Sequence, residues 1–363
     1  MLRAGLIGFP STGKSTLFRL LTSAREGTRP TQGKADANVG VARVPDARLD
    51  RLSAMYNPRK TVPATVEFAD MAGAARAGGG AKDLLDVGPF RNADALLHVV
   101  RVFRDESIPH PAGSIDAARD AQAMEDELLL ADLLVVERRL ERLDKDLKRG
   151  ATPDLKREQD VLTLCRAALE EGKPLRALGL GGDDLKRLRG FQFLSAKPLL
   201  IVINIDERDL PQLDRAIELA GLTEFVSRAG TLAVPLCAKI ELEIAELSPE
   251  DAAAFMADLG LTASGLDRVI RASYDLLGYI SFFTVGEDEC RAWSIPRNTP
   301  AQLAAGEIHS DISRGFIRAE VVTYDSLIAR GSYAACRDKG EVRLEGKEYI
   351  VQDGDIINFR HAT

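Results

Sequence analysis

The sequence predicts an α/β protein built on a mostly parallel, phosphate-binding sheet, with an antiparallel helical arm inserted and a β-rich module at the C-terminal end. Three features lead there. Gly8 to Thr16 reads G-F-P-S-T-G-K-S-T, a complete G-x-x-x-x-G-K-S/T loop placed directly after the apolar run Leu2 to Ile7. Leu133, Val136, Leu140, Leu143 and Leu147 step alternately by three and four residues, the seam of a coiled coil. From Gly278 onward, short β-rich segments separated by Gly and Asp turns replace the helical pattern.

An apolar strand, a glycine loop and a helix (Ser15 to Thr22) form the context in which the first motif binds phosphate. The N–H groups of such a loop point inward at an anion, and the following helix adds its positive N-terminal dipole. Gly8, Pro10, Ser11, Thr12, Gly13, Lys14, Ser15 and Thr16 are therefore the candidate phosphate-binding residues. Lys14 reaches the β/γ oxygens, and the Ser15 hydroxyl completes a Mg²⁺ shell. The implied ligand is a nucleoside triphosphate.

A second strand, Thr65 to Asp70, runs into Met71-Ala72-Gly73. In GTPase-type phosphate-loop proteins the aspartate of D-x-x-G holds Mg²⁺ through water, and the glycine N–H meets the γ-phosphate. Lys14, Asp70 and Gly73 are thus the candidate catalytic residues, with Ser15 and Asp70 as candidate metal ligands. A third strand, Ala95 to Val102, carries His98, expected to be a satisfied core histidine.

The pattern changes near Asp116. Charges fill the faces away from the leucine seam, Gly150 to Pro153 forms a stop, and Thr152 or Asp154 is positioned to cap a second helix. That helix aligns Leu155, Leu162, Cys165 and Leu169 on one stripe, so the two helices form an arm over 116–196. The nucleotide domain, 1–115, resumes over 197–277. Leu199 to Ile203 is a continuous apolar run, as expected for a strand buried on both faces. It delivers Asn204-Ile205-Asp206-Glu207 to the carboxyl edge, where ligands bind.

The guanine-specific pattern there is N-K-x-D. Here Ile205 replaces the lysine and Glu207 stands at the aspartate position, which weakens the carboxylate clamp on guanine and tilts selection toward ATP or a relaxed choice. A polar loop after a core strand is the plainer reading of the same residues. Thr231 to Leu236 leads to Cys237-Ala238-Lys239, similar to the S-A-K loop that meets the base through backbone groups. The last module, 278–363, has strand-like runs at Ile280 to Val285, Cys290 to Ile295, Phe316 to Val322, Glu348 to Val351 and Ile356 to Phe359.

At 363 residues and 45% hydrophobic, the chain supports two or three folded domains. Its net charge of −7 supplies no general attraction to nucleic acid, so any RNA contact rests on a local patch. Cys165, Cys237, Cys290 and Cys336 lack metal-binding spacing and read as reduced structural residues. Met1 leads at once into the first core strand, and no apolar run reaches the length of a membrane span. The expectation is a cytoplasmic protein without membrane contact; the oligomeric state stays open.

Together these motifs resemble the YchF (Obg-like ATPase) family over nearly the whole chain. Pro45-Asp-Ala-Arg48-Leu49, Asp70-Met-Ala-Gly73, Asn204-x-x-Glu207 and Cys237-Ala238 carry the resemblance in the core. Ala131-Asp132, Glu137-Arg138, Leu175-Arg-Ala-Leu178 and Arg268 to Ala272 extend it. Arg291-Ala-Trp293, Ala305 to Asp311, Gly315 to Ala319 and Glu345 to Asp355 are similar to a TGS domain, a ubiquitin-like β-grasp. The resemblance implies a P-loop GTPase-type sheet and slow hydrolysis of ATP, with GTP as an alternative. It also implies ribosome or RNA contact through surfaces that include the arm and the TGS domain.

Three departures stand out. Aligned on Asn38-x-Gly40, the family's switch I threonine falls at Lys34, with Thr31 nearby. The segment after Gly73 (Ala74 to Lys82) is shortened, and Ser11 stands where many relatives carry Asn. No side chain in the sequence is identified as a water-positioning group. Lys34, Arg76 and Lys82 are candidate compensating cations, or plain solvated loop charges. A slow Mg²⁺-dependent ATPase and a non-hydrolysing, nucleotide-dependent binding module both remain open.

Overall fold

The computed structural model describes residues 3–23, 37–71 and 87–362. The chain divides into two compact units, one formed by Met1–Ala42 with Glu67–Leu276 and the other by Arg43–Val66 with Leu277–Thr363. Among the described residues the strands are β1 (Arg3–Ile7), β2 (Ala37–Arg43), β3 (Lys60–Val62), β4 (Thr65–Met71), β5 (Ala95–Arg101), β6 (Leu199–Asn204), β7 (Thr231–Leu236), β8 (Tyr279–Thr284), β9 (Glu289–Pro296), β10 (Phe316–Thr323), β11 (Arg343–Glu345) and β12 (Asp355–His361).

In the first unit the sheet order is β2-β4-β1-β5-β6-β7. The pairs β1–β4, β1–β5, β5–β6 and β6–β7 all run parallel, giving a P-loop GTPase-like mixed α/β fold. Central β5 and β6 are buried at every residue, which explains the continuous apolar run Leu199 to Ile203 and the mostly apolar β5. Helix α1 (Lys14–Ser23) follows β1, and α2 (Ala47–Tyr56) belongs to the second unit.

The arm is made of α3 (Ala117–Arg149) and α4 (Pro153–Glu170). Arg139 pairs with Glu158 and Gln159 with Asp144, the cross-links of antiparallel neighbours. Asp116 caps α3 by accepting from Arg119 N, and Thr152 caps α4 by accepting from Leu155 N, satisfying helix donors that would otherwise be orphaned. Val136, Leu140 and Leu143 pack with Leu162, Cys165 and Leu169. The first turns of α3 serve a different purpose: Ala117, Ala121, Met124 and Leu128 join the core beneath the sheet. One continuous helix therefore carries both cores.

The arm base is fastened by buried polar groups. Asp132 accepts from Leu194 N, Ser195 N and Ser195 Oγ at 2.7–2.9 Å. Arg176 donates to Glu125 at 2.8 Å, with both side chains almost fully enclosed. These two contacts give the Ala131-Asp132 and Leu175-Arg-Ala-Leu178 motifs a physical role.

In the second unit the order is β11-β10-β12-β8-β9-β3. The helix Ala301–Ile308 buries Ala301, Ala304 and Ala305 with Phe282, Ile295 and Phe359 of this sheet. Residues 43–66, assigned from sequence to the nucleotide domain, pack here instead: β3 pairs parallel with β9. Arg48, held by Asp46, also donates to Asp353 at 2.8 Å. Both carboxylates raise the Arg48 guanidinium pKa against the opposing effect of burial.

Glu348 to Val351, expected as a strand, contributes only an isolated bridge from Ile350 to Pro300; the edge strand is β11. His309 caps the short helix Ser310–Arg314, its Nδ1 accepting from Asp311 N at 3.2 Å. Among the described residues no helix is long and apolar enough to cross a membrane.

Candidate functional site

The loop between β1 and α1 takes its shape from three residues with positive φ: Gly8 at 144°, Ser11 at 63° and Gly13 at 95°. Side chains are excluded at the two glycines. A Cβ at Gly8 would lie 2.6 Å from Val99 O, and one at Gly13 would lie 2.5 Å from Asn204 Nδ2. Ser11 has no such freedom and occupies the left-handed region at a steric cost that Asn bears more easily. Thr12 is buried and its hydroxyl donates to Phe9 O at 3.1 Å, closing the loop on itself.

The Lys14 ammonium donates to Phe9 O at 2.6 Å. Burial lowers its pKa and the Asp70 carboxylate opposes that shift. Asp70, at the end of β4, is itself raised by burial, against Lys14 and a hydrogen bond from the Ser15 hydroxyl. A hydroxyl and a carboxylate held together beside a lysine at the foot of α1 are a hard oxygen donor set, and that chemistry fits Mg²⁺.

A cavity of about 700 Å³ opens above this cluster. Of the residues singled out in the sequence, it brings together Ser11, Gly13, Lys14, Ser15, Thr16, Asn204, Glu207, Cys237 and Ala238. Gly8 and Thr12 are buried within the loop and do not line the cavity, Pro10 is exposed outside the cavity lining, and Asp70 joins through Ser15. Gly73, Thr31, Lys34, Arg76 and Lys82 lie outside the described residues.

Asn204 ties the two halves of the cavity. Its Nδ2 donates to Thr12 O and its Oδ1 accepts from Ala238 N, both at 3.1 Å. One buried amide thus fixes the phosphate loop against the Cys237–Ala238 loop. At the outer rim Glu207 accepts from Lys239 at 2.6 Å, and that partner raises the Lys239 pKa. The pair is half-exposed, so its contribution to stability is small, but it engages the carboxylate that a guanine clamp would need.

His98 differs from its sequence expectation. It is buried, yet its Nε2 has no hydrogen-bond partner among the described residues. Burial first, and the Lys14 ammonium second, push its pKa down to about 3, so the ring is neutral. The cause is position: its Cδ2 lies 3.5 Å from where a Gly8 Cβ would stand, directly under the loop.

Sequence reasoning missed one wall of the cavity, formed by Phe103, Arg104, Asp105 and Ile108. The available signal was Arg101, a charge closing a strand otherwise apolar but for His98.

Comparison with known proteins covers the chain end to end. Residues 3–138 match the family model described as a 50S ribosome-binding GTPase. Residues 279–362 match the model of the YchF GTPase C-terminal domain, described as a protein of unknown function. The chain is 41% identical over 362 residues to the protein named ribosome-binding ATPase YchF from Bacillus subtilis (strain 168), covering 99% of each chain. It is 42% identical over 367 residues to the protein of that name from Haemophilus ducreyi, covering 99% of this chain and 98% of that one. The solved structure of the Schizosaccharomyces pombe YchF GTPase superposes with a TM-score of 0.83 at 30% identity, covering 99% of this chain and 97% of that one.

Proposed function

This chain belongs to the YchF family, and from that premise we propose that it is a slow, Mg²⁺-dependent ATP phosphohydrolase whose nucleotide state is coupled to ribosome binding. The observation that carries the reading is the cavity gathering Lys14, Ser15, Asn204, Glu207 and Ala238. The relatives named ribosome-binding ATPase, similar over the whole chain, support the partner and the nucleotide.

In this reading the loop from Gly8 to Ser15 and the N-terminus of α1 hold the phosphates. The Lys14 ammonium turns from Phe9 O to the β/γ oxygens. Ser15 and Asp70 would hold Mg²⁺, which would neutralise charge on the phosphates. Gly73, outside the described residues, would supply the N–H for the γ-phosphate. Asn204 and the Cys237–Ala238 backbone position the base, and Glu207, engaged by Lys239, leaves guanine without its carboxylate clamp. The arm and a TGS-type C-terminal unit supply the ribosome-facing surfaces. A second reading, nucleotide-dependent binding without turnover, is favoured by Lys34 standing where the family carries its switch I threonine.

Competition of ATP and GTP for one fluorescent ATP analogue tests the nucleotide. ATP is expected to displace it at the lower concentration; tighter displacement by GTP would overturn the base assignment.

A further inference from the structure

Arg101 is the last residue of β5 and is only 1% exposed. All three guanidinium nitrogens donate to carbonyls of one short loop: Nε to Phe103 O at 3.2 Å, Nη2 to Asp105 O at 3.1 Å and Nη1 to Ile108 O at 3.0 Å. The guanidinium also lies 4.5 Å from the centre of the Phe103 ring. Burying a cation is costly unless donors are matched by acceptors, and here a single loop supplies the matching acceptors. The consequence runs both ways: the carbonyls satisfy the charge, and the charge fixes the loop's backbone across residues 103–108.

That loop leans on the residues at the base end of the cavity. Val102 N and Phe103 N donate to Asn204 O at 2.9 and 3.1 Å, and Arg104 N donates to Asp206 Oδ2 at 3.4 Å. Phe103, Arg104, Asp105 and Ile108 line the same cavity as Asn204 and Glu207. We propose that Arg101 is a positioning residue for the nucleoside half of the ligand: it touches no ligand itself, but holds the 103–108 wall in its binding conformation before the nucleotide arrives. The inference rests on the nucleotide-binding reading above and assigns it a determinant that the phosphate loop does not contain.

Preorganisation of this kind removes an ordering cost from binding. Arg101→Lys keeps the charge, but its single ammonium cannot span three carbonyls spread along the loop. The test compares dissociation constants for Mg-ATP and for Mg-tripolyphosphate, which needs only the phosphate loop, in wild type, Arg101→Lys and Arg101→Met. ATP binding is expected to weaken by about tenfold or more while tripolyphosphate stays within about twofold. Equal weakening of both ligands, or of neither, would overturn the proposal. Wild-type protein that binds neither ligand would overturn the nucleotide reading and this one with it.

Hydrogen exchange on the nucleotide-free wild type supplies a reading that needs no variant. The amides of Phe103, Arg104, Ser107 and Ile108 are expected to exchange slowly. Exchange at the rate of an unstructured peptide would show that the wall is not preformed and would overturn the proposal.

Discussion

Asn204→Ala removes the amide that joins the phosphate loop to the base loop. The substitution deletes two buried hydrogen bonds, to Thr12 O and from Ala238 N. Each neutral bond contributes about 1 kcal/mol net, and a buried partner left unpaired costs about 1–3 kcal/mol. Asn204 and Thr12 are 5% and 1% exposed, so water does not readily replace the lost partner. The expected destabilisation is about 2–4 kcal/mol, with nucleotide affinity falling about tenfold because the two loops are no longer fixed to each other.

Asn204→Asp sharpens the test. Its carboxylate still accepts from Ala238 N but sets an oxygen against Thr12 O, so it is expected to be no better than alanine. Urea unfolding followed by far-UV circular dichroism measures stability; the one tryptophan, Trp293, lies in the second unit and reports on that unit. Titration with a fluorescent ATP analogue measures affinity. An Asn204→Ala protein within about 0.5 kcal/mol and twofold of wild type would refute the reasoning.

Two further predictions concern buried ionisable groups. Arg176→Ala strands the Glu125 carboxylate, whose other oxygen already lacks a partner among the described residues, and is expected to cost about 3–5 kcal/mol; a loss below 1 kcal/mol by chemical denaturation would contradict the buried pair. His98 is neutral in the folded protein down to about pH 3, whereas an unfolded histidine titrates near pH 6.5. Between these values the unfolded chain binds the extra proton, so the contribution to stability is full above pH 6.5 and declines as pH falls. His98→Leu is expected to make stability less pH-dependent by about 1.4 kcal/mol per pH unit between pH 6 and 4; unfolding curves with wild-type pH dependence would count against a buried neutral ring.

The parts of the fold legible in the sequence are those written over short distances. Gly8 to Ser15 encodes its own turn, and its glycines are needed because Val99 O and Asn204 Nδ2 leave no room for a Cβ. The apolar run Leu199 to Ile203 reads directly as a strand buried on both faces, and 95–102 reads as a strand whose residues 95–101 are all buried. The steps from Leu133 to Leu147 foretell the helical arm. What stayed hidden depends on partners distant in sequence. Nothing local to residues 43–66 says that β3 will pair with β9, more than two hundred residues onward. The buried Nε2 of His98, without a partner among the described residues, takes that position only once the phosphate loop lies over β5. The 103–108 wall follows from Arg101, whose three acceptors are main-chain atoms and leave no side-chain pattern to read.

The central claim is that this cavity binds and hydrolyses ATP, and multiple-turnover phosphate release with Mg²⁺ tests it most directly, using Lys14→Ala as the background. The account predicts slow release from ATP that the Lys14→Ala protein lacks. Release from wild type no faster than from Lys14→Ala would contradict it and leave a binding module in place of an enzyme.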